Sequence, residues 1–292
     1  MKKLLTTVAA ILAIALLIGC PGSPKDNENT GGNSGSNSGS GNGSGNGAND
    51  SGGGGAVTQK TIKAAPDAVG DIVLKNGKAI AYYDGLTLTD QEKADAIAVI
   101  FYAGGDNELG NRKLGVGLKE FVDMRSYYAQ GSNTQGKKLN DANDELNGLN
   151  NQNTMEDYDD FNSSNDSDNK YPAFYWAYNY YEEISVLWGD ESGFGQNWYV
   201  PATKELKKLL EQSAIMNKAF AKISDTADKF PETGSKSYWS STTDNTPTNE
   251  ITPLKYENAY YFSLEPQAST KIQGPYSIKK DTALSVRVIH AF

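Results

Sequence analysis

Residues 198–206 read W-Y-V-P-A-T-K-E-L, and they decide how the second half of the chain is interpreted. The stretch predicts a helix after Pro201, because Leu206, Leu209 and Leu210 recur at the spacing of one helical face. Toward the N-terminus, residues 171–181 read Y-P-A-F-Y-W-A-Y-N-Y-Y and predict another helix with Pro172 near its first turn. Its core-facing stripe is expected at positions 174, 177, 178 and 181.

The chain on either side of these two helices has the short apolar runs of strands. Downstream, strands are predicted at residues 238–242, 258–264 and 284–292. Upstream, residues 71–82 form two short runs around Asn76-Gly77, a strong hairpin signal. Residues 89–92 read T-D-Q-E, which predicts a capping box and a short helix. Residues 96–102, A-I-A-V-I-F-Y, predict a buried strand, and residues 113–118 predict another.

Three of these segments carry a family resemblance when they are taken in order. They are W-Y-V-P-x-x-x-E-L at 198–206, Y-W-S-S-T at 238–242 and V-R-V-I-H-A-F at 286–292. Together they resemble the signatures of the Lcl C-terminal-like / major paralogous domain family of bacterial lipoproteins, whose function is uncharacterised. Segments at 70–74, 83–90, 99–104 and 171–175 resemble longer members of the same group, so the likeness spans residues 70–292.

The resemblance implies an α+β, C-type-lectin-like domain, in which two helices flank a small twisted antiparallel sheet with long loops. Two positions depart from the family pattern. The Ser/Thr helix cap falls on Ala202, and the second terminal arginine is His290, which we expect to be a partly buried structural histidine. The sugar-binding calcium motifs of true C-type lectins are also missing, so we expect no calcium-dependent sugar binding.

The first 20 residues predict export and lipid anchoring. Two lysines precede an apolar run that is too short to span a bilayer, which is typical of a signal peptide at 1–19. The run ends in L-I-G-C, which resembles a lipobox, so Cys20 is the expected lipidation site and membrane lipid the expected partner. Acylation on the sulfur and the new amine would anchor the chain stably. An ordinary signal peptide with a chance cysteine is the alternative.

Residues 20–55 predict a disordered tether between this anchor and the domain at 56–292. Gly, Ser and Asn fill 27 of the 35 positions from 21 to 55, and no aromatic residue occurs there. Such a composition cannot bury enough apolar surface to offset the entropy of ordering. The tether would hold the domain clear of the membrane, so we expect an envelope protein on the outer membrane or cell surface, or on its periplasmic face.

Residues 141–170 form an acidic, polar insertion in that domain. Nine acidic residues face one lysine there. Five of the aspartates could serve as oxygen ligands of calcium, namely Asp157, Asp159, Asp160, Asp166 and Asp168. The EF-hand spacing is absent, however, and a solvated surface insertion is the preferred interpretation. We therefore assign no metal and no other cofactor.

Composition excludes several other classes of function. The formal net charge of −9 argues against a nucleic-acid partner, because phosphate binding depends on clustered Lys and Arg. One Cys and one His exclude a disulfide framework and Cys-rich or His-rich metal sites within this chain. The sequence shows no catalytic constellation. A glycan hydrolase that uses the carboxylates of Glu182 and Glu205 is a minor alternative.

The favoured hypothesis is therefore an adhesion or recognition module that binds a protein or glycan ligand. A structural or antigenically variable envelope protein without a fixed ligand is the main alternative. Tyrosine and tryptophan suit adaptable binding surfaces, and the C-terminal third is rich in both. We expect the ligand-binding aromatic residues on the surface to be Tyr238, Trp239, Tyr256, Tyr260 and Tyr261.

Overall fold

A single nine-stranded sheet organises the part of the chain that the structure describes. This computed structural model describes residues 59–125, 142–157, 161, 171–185, 194–224, 227–244, 258–268, 271–280 and 282–292. They all belong to one compact unit, Gly54–Phe292. The predicted signal peptide, Cys20, the tether, 13 of the 30 residues of the acidic insertion and Tyr256 lie outside the described residues.

The strands are numbered along the chain. They are β1 Ile62–Lys63, β2 Ile72–Leu74, β3 Ala79–Ile80, β4 Ala96–Tyr102, β5 Leu114–Arg125, β6 Lys236–Thr243, β7 Asn258–Leu264, β8 Ile272–Lys279 and β9 Ala283–Ala291. Their order across the sheet is β1-β3-β2-β4-β5-β9-β6-β7-β8. Each pair of neighbours is antiparallel apart from β6 and β9, which run parallel.

The described residues also form five helices: α1 Asp90–Asp95, α2 Gly148–Glu156, α3 Pro172–Ser185, α4 Thr203–Glu211 and α5 Ser213–Ile223. The predicted capping box of α1 is confirmed, because Thr89 and Glu92 bond each other's backbone N–H groups. None of the helices within the described ranges has both the length and the apolar character needed to cross a membrane.

The predicted fold class, an α+β C-type-lectin-like domain with two helices around a small antiparallel sheet, is wrong. The sheet has nine strands and one parallel pair, and it is the dominant element of a mostly β architecture. The difference arises at β5, which is 12 residues long and pairs with both β4 and β9. It thereby joins the N-terminal strands to the C-terminal ones in one continuous sheet.

The core lies where the helices cover this sheet. All seven residues of β4 are buried, and α4 and α5 pack against that strand. Leu206, Leu209 and Leu210 are buried, which confirms the predicted apolar face of α4. The predicted stripe on α3 is only partly right, because Phe174 is buried whereas Tyr178 is 51% exposed. Ala177 is buried as predicted, and the apolar face of α3 extends to Ala173, Trp176 and Tyr180.

Candidate ligand-binding surface

An aromatic row crosses three adjacent strands near one edge of the sheet. Trp239 on β6 lies directly opposite Tyr261 on β7, and Tyr261 lies opposite Tyr276 on β8. Directly opposed residues share a face of the sheet. The ring centroids are 6.4 Å apart between Trp239 and Tyr261 and 5.6 Å apart between Tyr261 and Tyr276. The row runs from the interior, where Trp239 is 1% exposed, to the surface, where Tyr276 is 45% exposed.

We call the outer pair, Tyr261 and Tyr276, the tyrosine platform. Tyr276 is held in place by its hydroxyl, which donates to Oε1 of Gln273 at 3.3 Å, and by its ring contact with half-buried Tyr261. Trp239 packs beside Tyr261 on the same face of the sheet. The indole Nε1 of Trp239 is buried and has no hydrogen-bond partner among the described residues. The platform is thus a partly exposed aromatic surface beside a buried tryptophan.

The strands that carry the platform contain a long stretch without charged side chains. Residues 258–264 read N-A-Y-Y-F-S-L and residues 272–278 read I-Q-G-P-Y-S-I, with no acidic or basic side chain in either. Lys271 and Lys279 bound the β8 segment and are exposed. Lys280 is buried beyond them, and burial lowers its pKa to about 7, although the nearby Asp244 carboxylate acts in the opposite direction.

Two of the five predicted surface aromatics are in fact core residues. Tyr238 is fully buried and Trp239 almost so, which corrects the expectation that they form part of an exposed surface. The reason is their strand, since β6 lies between β9 and β7 inside the sheet and the helices α2 and α4 pack against it. The Tyr238 hydroxyl instead donates to Oε2 of Glu120 at 3.4 Å, and burial raises the pKa of that tyrosine.

The structure does not bring the remaining predicted residues together on one surface. Tyr260 and Tyr261 are both half-buried, but as neighbours on β7 they point to opposite faces of the sheet. The hydroxyl of Tyr260 donates to Oδ1 of Asp244 at 3.1 Å. Tyr276, which forms the platform with Tyr261, was missed because Gly274-Pro275 interrupts the apolar alternation that marks a strand.

A buried ion cluster lies under the middle of the sheet. Arg287 of the V-R-V-I-H-A-F segment is fully buried, and its Nη2 lies 3.0 Å from Oε2 of Glu120. Lys236 pairs with the other oxygen of the same carboxylate. The guanidinium lies 4.5 Å from the centre of the Phe230 ring, which allows a cation–π contact. The cluster ties β5, β6 and β9 together.

Glu205, one member of the hydrolase alternative, is also a structural group. Its carboxylate is buried and accepts hydrogen bonds from the backbone N–H groups of Ala202 and Gly148, each at 2.9 Å. Arg112 lies 2.6 Å away, and the Tyr199 hydroxyl donates at 3.1 Å. Burial raises the pKa of Glu205, and these four donors counteract the rise. Both oxygens are therefore occupied in joining the start of α4 to α2.

The rest of the hydrolase and metal alternatives receives no support from the geometry. The side chain of Glu182, the proposed second carboxylate, lies outside the described residues. So do four of the five aspartates considered for calcium. Within the described ranges, no group of three or more His, Cys, Asp or Glu side chains is placed to hold a metal ion.

His290 is a packed histidine, as the sequence suggested. Its ring is 7% exposed and lies against Trp198 and Phe292, with ring centroids 5.3 and 4.7 Å away. Nε2 lies 3.0 Å from the backbone carbonyl oxygen of Gln196, to which the neutral ring can donate. Burial lowers the pKa of His290 to about 4, so the ring is neutral at pH 7.

The comparisons with known proteins yield one distant structural likeness. No protein-family model matches the chain, and no curated protein matches it. The chain is similar to a fimbrial protein from Bacteroides ovatus, with 16% sequence identity and a TM-score of 0.49. The likeness covers 77% of this chain and 49% of the fimbrial protein, so this chain spans about half of that protein's length.

Proposed function

We propose that this chain is a lipid-anchored envelope protein whose domain, at residues 56–292, binds a ligand at the cell surface. The tyrosine platform supports the binding part of the proposal. It combines an aromatic ring that is 45% exposed with a second aromatic ring and a stretch of uncharged side chains. Sites that bind by contact area are built in this way, because tyrosine offers a large rigid surface at a small entropic cost.

The N-terminal sequence supports the anchoring part of the proposal. The signal-like run, the lipobox ending at Cys20 and the Gly/Ser/Asn-rich stretch stand in the order that an exported, acylated and tethered domain requires. A chain of this kind would present the tyrosine platform at a distance from the lipid headgroups. The resemblance to lipoproteins of the Lcl C-terminal-like / major paralogous domain family remains part of this proposal.

Protease shaving of intact cells tests the proposal. Cells that produce the full chain are treated with protease, and the supernatant is analysed by mass spectrometry for peptides from residues 56–292. We expect those peptides to be released from unbroken cells, while a periplasmic marker protein stays intact. A C20S variant, which cannot be acylated at position 20, should leave the membrane fraction. Protection of the domain until the envelope is opened would contradict surface display.

A further inference from the structure

We infer that the tyrosine platform binds the pyranose ring of a neutral glycan. This inference rests on the proposed function, since it names the class of ligand for the same surface. The C–H groups on one face of a pyranose ring carry a slight positive charge, and the face of an aromatic ring is negative. Tyr276 is 45% exposed and is therefore open to such a contact.

The order of the platform favours this kind of contact. Tyr276 packs on Tyr261, and Tyr261 packs in turn on buried Trp239, so ring contacts restrict both tyrosines. When a ligand stacks on the pair, the two tyrosine side chains therefore lose little conformational entropy, and this favours affinity. The planes of the Tyr261 and Tyr276 rings are inclined by 48°, so the two rings form an open V and not a flat surface.

The side chains around the tyrosine platform favour an uncharged ligand, because few of them carry a charge. Between Asn258 and Leu264, and between Ile272 and Ile278, the side chains are aromatic, aliphatic, amide or hydroxyl. Amide and hydroxyl groups can both donate to and accept from sugar hydroxyls. A sulfated or uronic acid chain would meet basic side chains only at the two ends of this stretch, at Lys271 and Lys279, and the whole chain carries a formal charge of −9.

The same strand is poorly suited to the other familiar ligand of a sheet edge, an extended peptide. β8 is the last strand in the sheet order, and peptide strands commonly add to such edges. Pro275 lies within β8 and has no backbone N–H, so the row of donors that an added strand needs is interrupted. Proline on an edge strand is a usual protection against strand addition. The aromatic face, and not the edge, is thus the binding feature.

Glycan-array binding of the full chain tests the inference. The chain is reconstituted in phosphatidylcholine vesicles and applied to an array of neutral glycans, sulfated and uronic acid glycans, and extended peptides. We expect binding to neutral glycans, and we expect Y276A to weaken it about tenfold or more, as loss of a central aromatic contact does. Y276F keeps the ring and should retain binding.

Tyr178 gives the matched control, because it is an equally exposed tyrosine, at 51%, on helix α3. Y178A should leave glycan binding unchanged, and so should the double variant K271A/K279A if charge plays no part. The inference would be overturned if the affinity of Y276A for neutral glycans stayed within twofold of the wild-type affinity. It would also be overturned if the wild-type chain bound only anionic glycans, only peptides, or no ligand on the array.

These outcomes separate the inference from the proposed function. Binding to peptides or anionic glycans would leave a surface ligand-binding protein in place and remove only the neutral pyranose ligand. A domain that stays protected in intact cells would overturn the proposed function, whatever the array reports.

Discussion

Arg287 is a fully buried cation whose guanidinium is only partly satisfied. Nη2 pairs with Glu120, whereas Nε and Nη1 have no hydrogen-bond partner within the described residues. Removing one member of such a pair leaves the other charge buried, which costs more than the intact pair contributes. Arg287, the arginine of the V-R-V-I-H-A-F segment, therefore has a structural role: it neutralises the buried carboxylate of Glu120.

We expect R287M to lower the free energy of unfolding by about 3–5 kcal/mol, because Glu120 would keep only Lys236 as a charged partner. Urea unfolding followed by tryptophan fluorescence measures the change. The double variant E120Q/R287M should recover most of the loss, since it leaves no unpaired carboxylate. A loss below 1 kcal/mol in R287M would show that the cluster is not needed for stability.

His290 makes stability depend on pH. Its pKa is about 4 in the folded protein and 6.5 in its ordinary state, so the unfolded chain binds more protons between these values. The free energy of unfolding should thus fall as the pH falls from 6.5 to 4, by about 3 kcal/mol, and change no further below pH 4 on this account.

The histidine's share of this pH dependence is measured by comparing wild type with H290Q in urea unfolding at several pH values. Glutamine can keep a donor toward the carbonyl of Gln196 but does not titrate. We expect the wild type to lose about 3 kcal/mol more than H290Q between pH 6.5 and 4. Parallel curves for the two proteins would mean that His290 is protonated as easily in the folded state as in the unfolded one.

At the scale of elements, the junction between α2 and α4 depends on a glycine. The N–H of Gly148 donates to Glu205, and its Cα lies against the chain that leads into α4. A Cβ at this position would stand 2.8 Å from the nitrogen of Ala202 and 2.9 Å from Cδ2 of Tyr199. Backbone atoms cannot move aside as the end of a flexible side chain can, so the two helices would have to separate.

We expect G148A to lower the free energy of unfolding by about 3 kcal/mol, the upper end of the usual cost of overpacking. G85A is the matched control. Gly85 is exposed, and a Cβ there would meet only the ring of Tyr83, at 3.3 Å. It should leave stability unchanged or raise it by up to about 1 kcal/mol. Equal melting temperatures for G148A and wild type would show that the junction can relax.

Local sequence patterns predicted several of these elements well. The buried run of β4, the hairpin of β2 and β3, and the start of α3 at Pro172 all agree with the structure. In each case the signal comes from neighbouring residues: an unbroken apolar run, an Asn-Gly turn, and a proline before a helical stripe. Such signals do not depend on contacts with distant parts of the chain.

The second half of β5, by contrast, could not be predicted from its pattern. Residues 119–125 read K-E-F-V-D-M-R, which looks like a solvated segment. Glu120 has a buried side chain there because Arg287, 167 positions further along the chain, supplies its partner. Burial by ion pairing leaves no hydrophobic periodicity, so the length of β5, and with it the single large sheet, was missed.

The candidate site was missed for a related reason. Tyr238 and Trp239 precede a run of Ser and Thr, which suggests an exposed segment, yet β6 lies inside the sheet and α2 and α4 pack against it. Tyr276 lies on the outermost strand, and its exposure follows from that place in the sheet order. No local pattern indicates which strand becomes the edge, because strand order is set by pairing between distant segments.

At the scale of the whole molecule, β9 joins the two halves of the sheet. It pairs with β5 on one side and with β6 on the other, and its residue Ile289 also bridges to Tyr199 ahead of α4. Within the described residues, β9 is the strand of the sheet that links the five N-terminal strands to β6, β7 and β8. The C-terminal ten residues therefore hold the tyrosine platform to the rest of the domain.

Truncation after Thr282, which removes β9, should abolish cooperative unfolding and the near-ultraviolet circular dichroism of the packed aromatic residues. The expected reason is that the two parts of the sheet lose their shared strand together with Arg287, the partner of Glu120. I62G is the control, because Ile62 is 55% exposed on the outermost strand β1 and should cost less than about 1 kcal/mol. A truncated chain that still melts cooperatively would show that the helices, and not β9, unite the domain. In that case the platform on β7 and β8 would be positioned by α4, which also packs against both strands.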